Sequence, residues 1–250
     1  MPHSLARSII DAADRASSPA DLRALLSYLD ASAFLDIISD VTANDSHELS
    51  ALASNSFRHR NGFIRLVLAL GDDCSSKLRV HLWSGQQRSS QIHNHSWHFA
   101  SRIMHGALEA QEYELAAAGA DAHQISVIPN KSAALAGRES RLEPSPVSPR
   151  ATKLRRYYTG DLYNLAAGKF HAVHAIEAAS VTLVLQGSHV FQESRVLVPL
   201  DAASTAAVLP LSISAYLHFL AVASSLVPTR LKRSRSMGFQ NWPGAALAVR

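Results

Sequence analysis

The sequence contains a single cysteine, Cys74, among its 250 residues. One thiol cannot form a disulfide within the chain, so a disulfide framework is excluded and a reducing cytoplasm is the expected location. Long uninterrupted apolar runs are also missing, because the longest candidate, 206–228, contains Pro210, His218 and several serines. This pattern favours a buried or partly buried helix over a membrane span. The first residues lack the apolar stretch that is typical of a secretion signal, so no secretion signal is expected.

Charge is sparse and evenly spread. Charged residues make up 18% of the sequence, and the formal net charge is +4. Basic residues are densest at 153–156 and 230–235. Neither run is interleaved with the aromatic side chains that a stacking platform for bases requires, so we expect solvated basic faces and no nucleic-acid partner. The 47% hydrophobic content predicts a soluble, folded protein without membrane association.

The periodicity of apolar residues changes along the chain. Apolar positions recur at spacings of three and four up to about Ser56, which predicts an N-terminal helical segment over 1–60. Short runs rich in β-branched and aromatic residues follow, which predicts a mainly β unit over 61–200. A C-terminal helix and tail, 201–250, are expected to pack on it. Residues 131–152 lack periodicity and are expected to form a mobile excursion between two halves of a barrel.

About ten short strands favour a barrel or jelly roll. The expected strands are Phe63–Leu70, Lys77–Trp83, Gln91–Trp97, Ser101–His105, Leu108–Leu115, Gln124–Ile128, Lys153–Tyr158, Asp161–Leu165, His171–Ile176 and Val181–Gln186.

Two histidines stand two residues apart on one predicted strand. Side chains at alternate strand positions share a face, so His93 and His95 could bind one ion. The alternative is a pair of polar residues on a solvent-facing strand. Downstream, His171 enters another predicted strand after a turn at Gly168. His174, three residues further on, should point to the opposite face and lie at the surface; were it the ligand, this interpretation of the segment would be wrong.

Together these segments resemble the two characteristic motifs of the cupin superfamily. The first motif of that family places His-x-His and a later glutamate between two glycines, here Gly85 and Gly106. The usual glutamate position is Phe99, which cannot ligate a metal. The second motif, Gly-x5-Pro-x-Gly-x2-His-x3-Asn, is matched in spacing from Gly160 to His171, with alanines at the proline and asparagine positions. The resemblance implies a cupin-type jelly-roll barrel, a double-stranded β-helix.

A three-histidine site is the arrangement of the cysteine dioxygenase branch of the cupins, which the chain resembles from Phe63 to about Gly187. That likeness rests on Phe63–Arg65, Lys77–Trp83, Ser89–His95 and His171–Val173. It implies His93, His95 and His171 as ligands of a mononuclear ion, expected to be iron(II), with zinc, nickel or manganese as alternatives. No organic cofactor is expected, because iron in such a site can bind O2 and substrate together.

Two further residues receive roles from the resemblance. Arg65 aligns with the arginine that binds the substrate carboxylate in the thiol dioxygenases, and its planar fork suits that task. The alternative for Arg65 is an ion pair with Asp72 or Asp73. His98 is expected to act near the metal as a proton or hydrogen-bond partner. Trp97 and Phe99 are expected to be core aromatics.

The branch's Ser-x-His-x-Tyr signature is not preserved. Its nearest match is Ser180-Val-Thr182-Leu-Val184, which lacks both the imidazole and the phenol. We therefore expect a substrate other than cysteine, a small carboxylate-bearing molecule of specialised metabolism, oxidised by a dioxygenase using O2. Alternatives are an O2-independent metal-dependent isomerase, lyase or hydrolase, and a cupin that binds a small molecule without turnover. The oligomeric state is open, with a homodimer as one expectation.

Overall fold

The computed structural model describes residues 4–59, 61–83, 91–130, 134, 136–177, 179–200 and 209–228. Gly85 and the C-terminal tail after 228 lie outside these residues. Within the described part, four helices precede the strands and one follows them. Their bounds are α1 Leu5–Asp14, α2 Pro19–Ser27, α3 Ala31–Thr42, α4 Ser46–Ser54 and α5 Ile213–Leu226. None of these helices has the length and apolarity needed to cross a lipid bilayer.

Each helix begins at a capping side chain that accepts a hydrogen bond from the backbone of its first turn. Ser18 and Asp21 form a reciprocal capping box at the start of α2, with Pro19 at the first helical position. Asp30 and Asp45 cap α3 and α4 through their carboxylates. Such caps satisfy backbone N–H groups that have no partner within the helix, which defines where these short helices start.

Twelve strands are found in the described residues. They are β1 Phe57–Arg58, β2 Phe63–Leu70, β3 Lys77–Trp83, β4 Trp97–His105, β5 Ala107–Ala117, β6 His123–Pro129, β7 Arg141–Leu142, β8 Val147–Tyr158, β9 Leu162–Leu165, β10 Phe170–Ala175, β11 Ser180–His189 and β12 Glu193–Pro199.

The strands form two antiparallel sheets. Sheet 1 has the order β1-β2-β3-β11-β4-β9, and sheet 2 has the order β10-β5-β8-β6-β12, with β7 paired to β6. The helices α1, α2, α4 and α5 pack on strands of sheet 1. Their apolar faces share one core with that sheet, which includes Ile9, Leu22, Leu66 and Leu183. The mainly β class predicted from the sequence, with helices before and after the strands, is confirmed.

The strand prediction from the sequence needs correction at three places. Gln91–Trp97 is not a strand, because 91–96 makes only isolated bridges and β4 begins at Trp97. β12 was not predicted at all. The expected excursion at 131–152 contains β7 and the start of β8. Most of β8 is exposed along its length, so its sequence carries no alternation of apolar and polar residues that would reveal a strand.

Gly106 forms the turn between β4 and β5, as expected, with a φ of +81°. A Cβ atom there would meet the Ser180 side chain and would lie 2.6 Å from the Ala179 carbonyl oxygen. The φ requirement and the close approach both demand glycine.

We predict that Gly106→Ala destabilises the fold more than Gly160→Ala does. Gly160 also has positive φ, +96°, but open space around it. Gly160→Ala should therefore cost only the left-handed strain of about 1–2 kcal/mol. Gly106→Ala should cost a further amount of about 1–3 kcal/mol from overpacking. Urea unfolding of both variants measures the difference, and equal losses would contradict the close approach at Gly106.

Candidate metal centre

The segment 91–96 lies between the two edge strands of sheet 2. The backbone N–H of His93 donates to the carbonyl of His171 on β10 at 3.0 Å, and the N–H of His171 donates back to His93 at 2.8 Å. On the other side, Leu197 of β12 donates to Ile92 at 2.8 Å. The segment therefore bridges β10 and β12 and places His93 beside His171.

Asn94 holds this segment in place from within. Its side chain is only 5% exposed. The Oδ1 atom accepts the N–H of Arg195 at 2.6 Å, and the Nδ2 atom donates to the carbonyl of Gly168 at 3.3 Å. Gly168, at a φ of +81°, donates its own N–H to the carbonyl of His95 at 2.9 Å. The turn before β10 and the segment with the first two histidines thus each donate a hydrogen bond to the other.

The three predicted ligands converge. One nitrogen from each of His93, His95 and His171 lies within 4.8 Å of the others. The Nε2 atoms of His95 and His171 are 3.1 Å apart. Two nitrogens bound at right angles to one ion, each about 2.1 Å from it, are roughly 3.0 Å apart. The spacing of this pair therefore fits two neighbouring ligands of a metal ion.

Hydrogen bonds orient two of the imidazoles. The Nδ1 atom of His93 lies 2.7 Å from the carbonyl oxygen of Gln91, which can only accept, so Nδ1 carries the proton and Nε2 keeps its lone pair. The Nδ1 atom of His171 lies 2.9 Å from the hydroxyl of Tyr163 on β9. Such partners on the far nitrogen fix ring orientation and raise ligand basicity.

Burial keeps the three rings neutral. Desolvation lowers the pKa of His93, and it lowers the pKa of His95 and His171 well below the usual value. The neighbouring imidazoles add to the effect, because each disfavours a charge on the next. Burial also raises the pKa of Tyr163 well above its ordinary value, so this residue remains a phenol. Neutral imidazoles have the free lone pairs that a metal ion requires.

Phe99 stands at the position that carries a carboxylate in the motif the sequence resembles. Its ring is 6% exposed and packs 5.2 Å from the ring of His95 and 5.6 Å from that of His171. Trp97 stacks on His95 at 5.0 Å. Both aromatics thus form the wall around the histidines as well as part of the core. Within the described residues, the cluster contains histidine ligands only.

The histidines line a cavity of about 410 Å³. This size falls in the range of small-molecule sites. Its lining comes from both sheets, and Asp73 is the one acidic residue among the described lining residues. The polar and charged side chains contributed by β2 and β3 are Arg65, Lys77, Arg79 and His81.

Arg65 lies in the cavity, as expected. Its guanidinium stacks on the Phe57 ring with Cζ 4.8 Å from the centroid, and burial lowers its pKa to about 10. The alternative ion pair with Asp72 is wrong, because Asp72 pairs with Arg7 at 2.7 Å. Asp73 accepts the N–H of Ser75 at 2.8 Å and makes no ion pair with Arg65.

His98 does not join the other predicted site residues. Trp97, Phe99 and Ser101 of β4 line the cavity, and His98 alternates with them onto the other face. Its Nδ1 atom accepts the N–H of Ala167 at 2.9 Å, which ties β4 to the turn before β10. This placement corrects the expected role beside the metal. His174 likewise lies outside the cavity, whereas His171 and Val173 on the same strand line it.

Sequence reasoning missed Tyr163 and Arg79. Tyr163 lies inside the second motif, but nothing in its spacing links a residue of β9 to a histidine of β10. Arg79 had a clearer signal: Lys77, Arg79 and His81 alternate with Leu78, Val80 and Leu82. That pattern predicts a strand with one polar face, and a polar face on a strand covered by helices on its other side points into a cavity.

No family model and no curated protein sequence matches the chain. Solved structures similar to it include hydroquinone 1,2-dioxygenase PnpCD in complex with Cd²⁺ and 4-hydroxybenzonitrile (16% identity, TM-score 0.32, 49% of this chain and 62% of that one). A cupin superfamily protein from Desulfitobacterium hafniense is 10% identical, with a TM-score of 0.30 over 52% of this chain and 81% of the other. An oxalate decarboxylase variant from Bacillus subtilis is 12% identical, with a TM-score of 0.31 over 56% and 29%.

The chain spans less than two thirds of the dioxygenase and decarboxylase chains. Similarities at these scores do not indicate an activity.

Tyr163→Phe should weaken metal binding by about 10–100-fold, because His171 loses the hydroxyl that orients its ring. Tyr157→Phe is the matched control, since its ring lies 5.1 Å from that of Tyr163 and makes no contact with the ligands. Competitive titration with a chelating dye measures both affinities. Equal affinity for wild type and Tyr163→Phe would show that the hydroxyl does not support the ligand.

The metal-free protein should lose stability as the pH falls below about 6.5. His81, His95 and His171 have folded-state pKa values well below that of an unfolded histidine. The unfolded chain therefore binds more protons in acid, and the free energy of unfolding decreases by up to about 1.4 kcal/mol per pH unit for each histidine. Urea unfolding between pH 7.5 and 5 measures the slope. His81→Phe should reduce it, and a flat profile in wild type would contradict neutral burial.

Proposed function

We propose that this chain is a mononuclear non-haem iron(II) oxygenase, a dioxygenase of the cupin type, acting on a small carboxylate-bearing metabolite. The observation that carries the proposal is the 3.1 Å separation of the His95 and His171 Nε2 atoms, with His93 completing a cluster of neutral nitrogens. Three neutral ligands leave the full charge of a divalent ion and about three open positions. That combination suits the joint binding of an anionic substrate and O2.

Iron(II) held by these histidines would supply O2 activation beside a bound substrate without an organic cofactor. The protein supplies binding and orientation. Arg65 offers a planar pair of donors that matches a carboxylate, and its burial strengthens the attraction to a negative charge. Phe99, Val173 and Val184 form apolar parts of the wall and limit the access of water to the ligands.

The choice of iron rests on the resemblance to the cysteine dioxygenase branch, since imidazole ligands also suit zinc and nickel. Cysteine itself is not proposed as the substrate. Thr182 and Val184 line the cavity where that branch has its histidine and tyrosine, so the phenol that would accompany a thiol substrate is missing from this strand. A cytoplasmic location and a substrate of specialised metabolism belong to the same proposal.

Protein purified without oxygen should contain about one iron per chain, and His171→Ala should lose it. His174→Ala is the matched control on the same strand and should keep the metal. Nitric oxide added to the iron(II) form should give a spin-3/2 resonance that is absent from His171→Ala. Metal loss in His174→Ala with retention in His171→Ala would contradict the ligand set.

Oxygen uptake separates the oxygenase from its alternatives. An iron-loaded protein that consumes no O2 with any small carboxylate, yet converts one of them when loaded with zinc, would favour Lewis-acid chemistry. Saturable binding without turnover under either condition would favour a binding protein.

A further inference from the structure

A second arginine, Arg79, lies in the cavity beside Arg65, and neither has a partner of opposite charge among the residues that the structure describes. Arg79 is 5% exposed, and the Nε atoms of both residues are buried without a hydrogen bond. Neither side chain forms an ion pair among the described residues. Outside those residues the sequence contains a single acidic residue, Asp201.

Two buried and unpaired guanidinium groups are costly for the folded state. Removing a charge from water is compensated only when an opposite charge or good hydrogen bonds replace the water. The two groups also repel each other, since the charge of Arg65 adds to burial in lowering the pKa of Arg79. A protein that retains such a pair gains something other than stability from it.

The register of the sheet places both arginines on one face. Arg65 on β2 is paired with His81 on β3, and Val67 is paired with Arg79. Arg65 and Arg79 are therefore diagonal neighbours, with a separation of roughly 7–8 Å at the backbone. Side chains of this length can converge on one ligand group or bind two adjacent ones.

Other unpartnered donors surround the arginines. The indole nitrogens of Trp83 and Trp97 are buried without a hydrogen bond. Arginine and tryptophan side chains donate and never accept, so these groups favour a ligand rich in acceptors, although one unpartnered acceptor, Gln186 Oε1, also lies in the cavity lining. The Arg79 guanidinium lies 5.9 Å from the Trp97 ring centroid, and Trp97 stacks on His95. The Trp97 ring thus lies between the Arg79 guanidinium and His95, one of the candidate metal ligands.

We propose that Arg65 and Arg79 form a single anion-binding subsite and that the substrate is a small dianion whose two charges are held there. The inference rests on the proposed function only in treating the cavity as the substrate site. It extends that proposal from one carboxylate to two negative charges, carried either by two carboxylates or by one phosphate-like group.

Calorimetric titration of the metal-free protein, cleared of chelator by dialysis, tests the subsite without iron or O2. Malonate, succinate and inorganic phosphate are compared with acetate and propionate. We expect at least one dianion to bind about tenfold or more tightly than the monocarboxylates, because a second charged pair is made. Preference for phosphate assigns one doubly charged group, and preference for a dicarboxylate assigns two carboxylates.

Arg79→Gln and Arg65→Gln should each lower the affinity for the preferred dianion by about tenfold or more and largely remove its advantage over a monoanion. Arg102→Gln is the matched control, because Arg102 is on β4 of the same sheet and donates to the Ser27 carbonyl, outside the cavity. Equal affinity of Arg79→Gln and Arg102→Gln for dianions, or no dianion preference in wild type, would overturn the proposal.

Arg79→Met separates a binding role from a structural one. Without added anions its urea midpoint should equal or exceed that of wild type, since an apolar side chain replaces an unpaired buried charge. The stabilisation that a dianion gives wild type should be absent. A variant that unfolds or loses stability would show that Arg79 supports the fold, and would overturn the subsite. Iron content and nitric oxide binding test the oxygenase independently, so either proposal can fail alone.

Discussion

The reciprocal backbone hydrogen bonds between His93 and His171 are the constraint on which the site depends. They pair a short segment that belongs to neither sheet with the edge of β10, while Ile92 and Asn94 pair with β12 on the other side. Loop residues held on both sides in this way have little freedom, so the imidazoles they carry are arranged before any ion arrives. Asn94 adds a side-chain connection to each neighbour, and its burial makes that connection hard to replace by water.

The charged side chains that line the cavity are mostly positive. Burial keeps the three clustered histidines neutral, Arg65 and Arg79 form no ion pair with any described residue, and Asp73 is the single acid among the described lining residues. A divalent ion would add positive charge to a wall that is already positive. The proposed subsite would therefore favour anions, with the balancing negative charge supplied by the ligand. Stability is given up locally at Arg65 and Arg79, which is common at functional sites.

Several strands and the three-histidine cluster could be predicted from local sequence patterns. Runs of β-branched and aromatic residues placed Lys77–Trp83 and Phe63–Leu70 correctly as strands, and the spacing of His93, His95 and His171 around Gly168 led to the cluster. Other parts depend on tertiary contacts. The segment 91–96 is held by isolated bridges between two strand edges, and the expected role of His98 near the metal fails because β4 begins at Trp97 and directs His98 away from the cavity. Tyr163 meets His171 only after β9 and β10 join different sheets.

X-ray absorption at the iron edge of the loaded protein tests the central claim most directly. The arrangement predicts a first shell of nitrogen and oxygen atoms at about 2.1 Å, with outer-shell scattering that fits three imidazoles. His93→Ala should lose the iron, as His171→Ala should, and the imidazole scattering with it. A shell with a sulfur ligand, or with fewer than three imidazoles in the unaltered protein, would contradict the account.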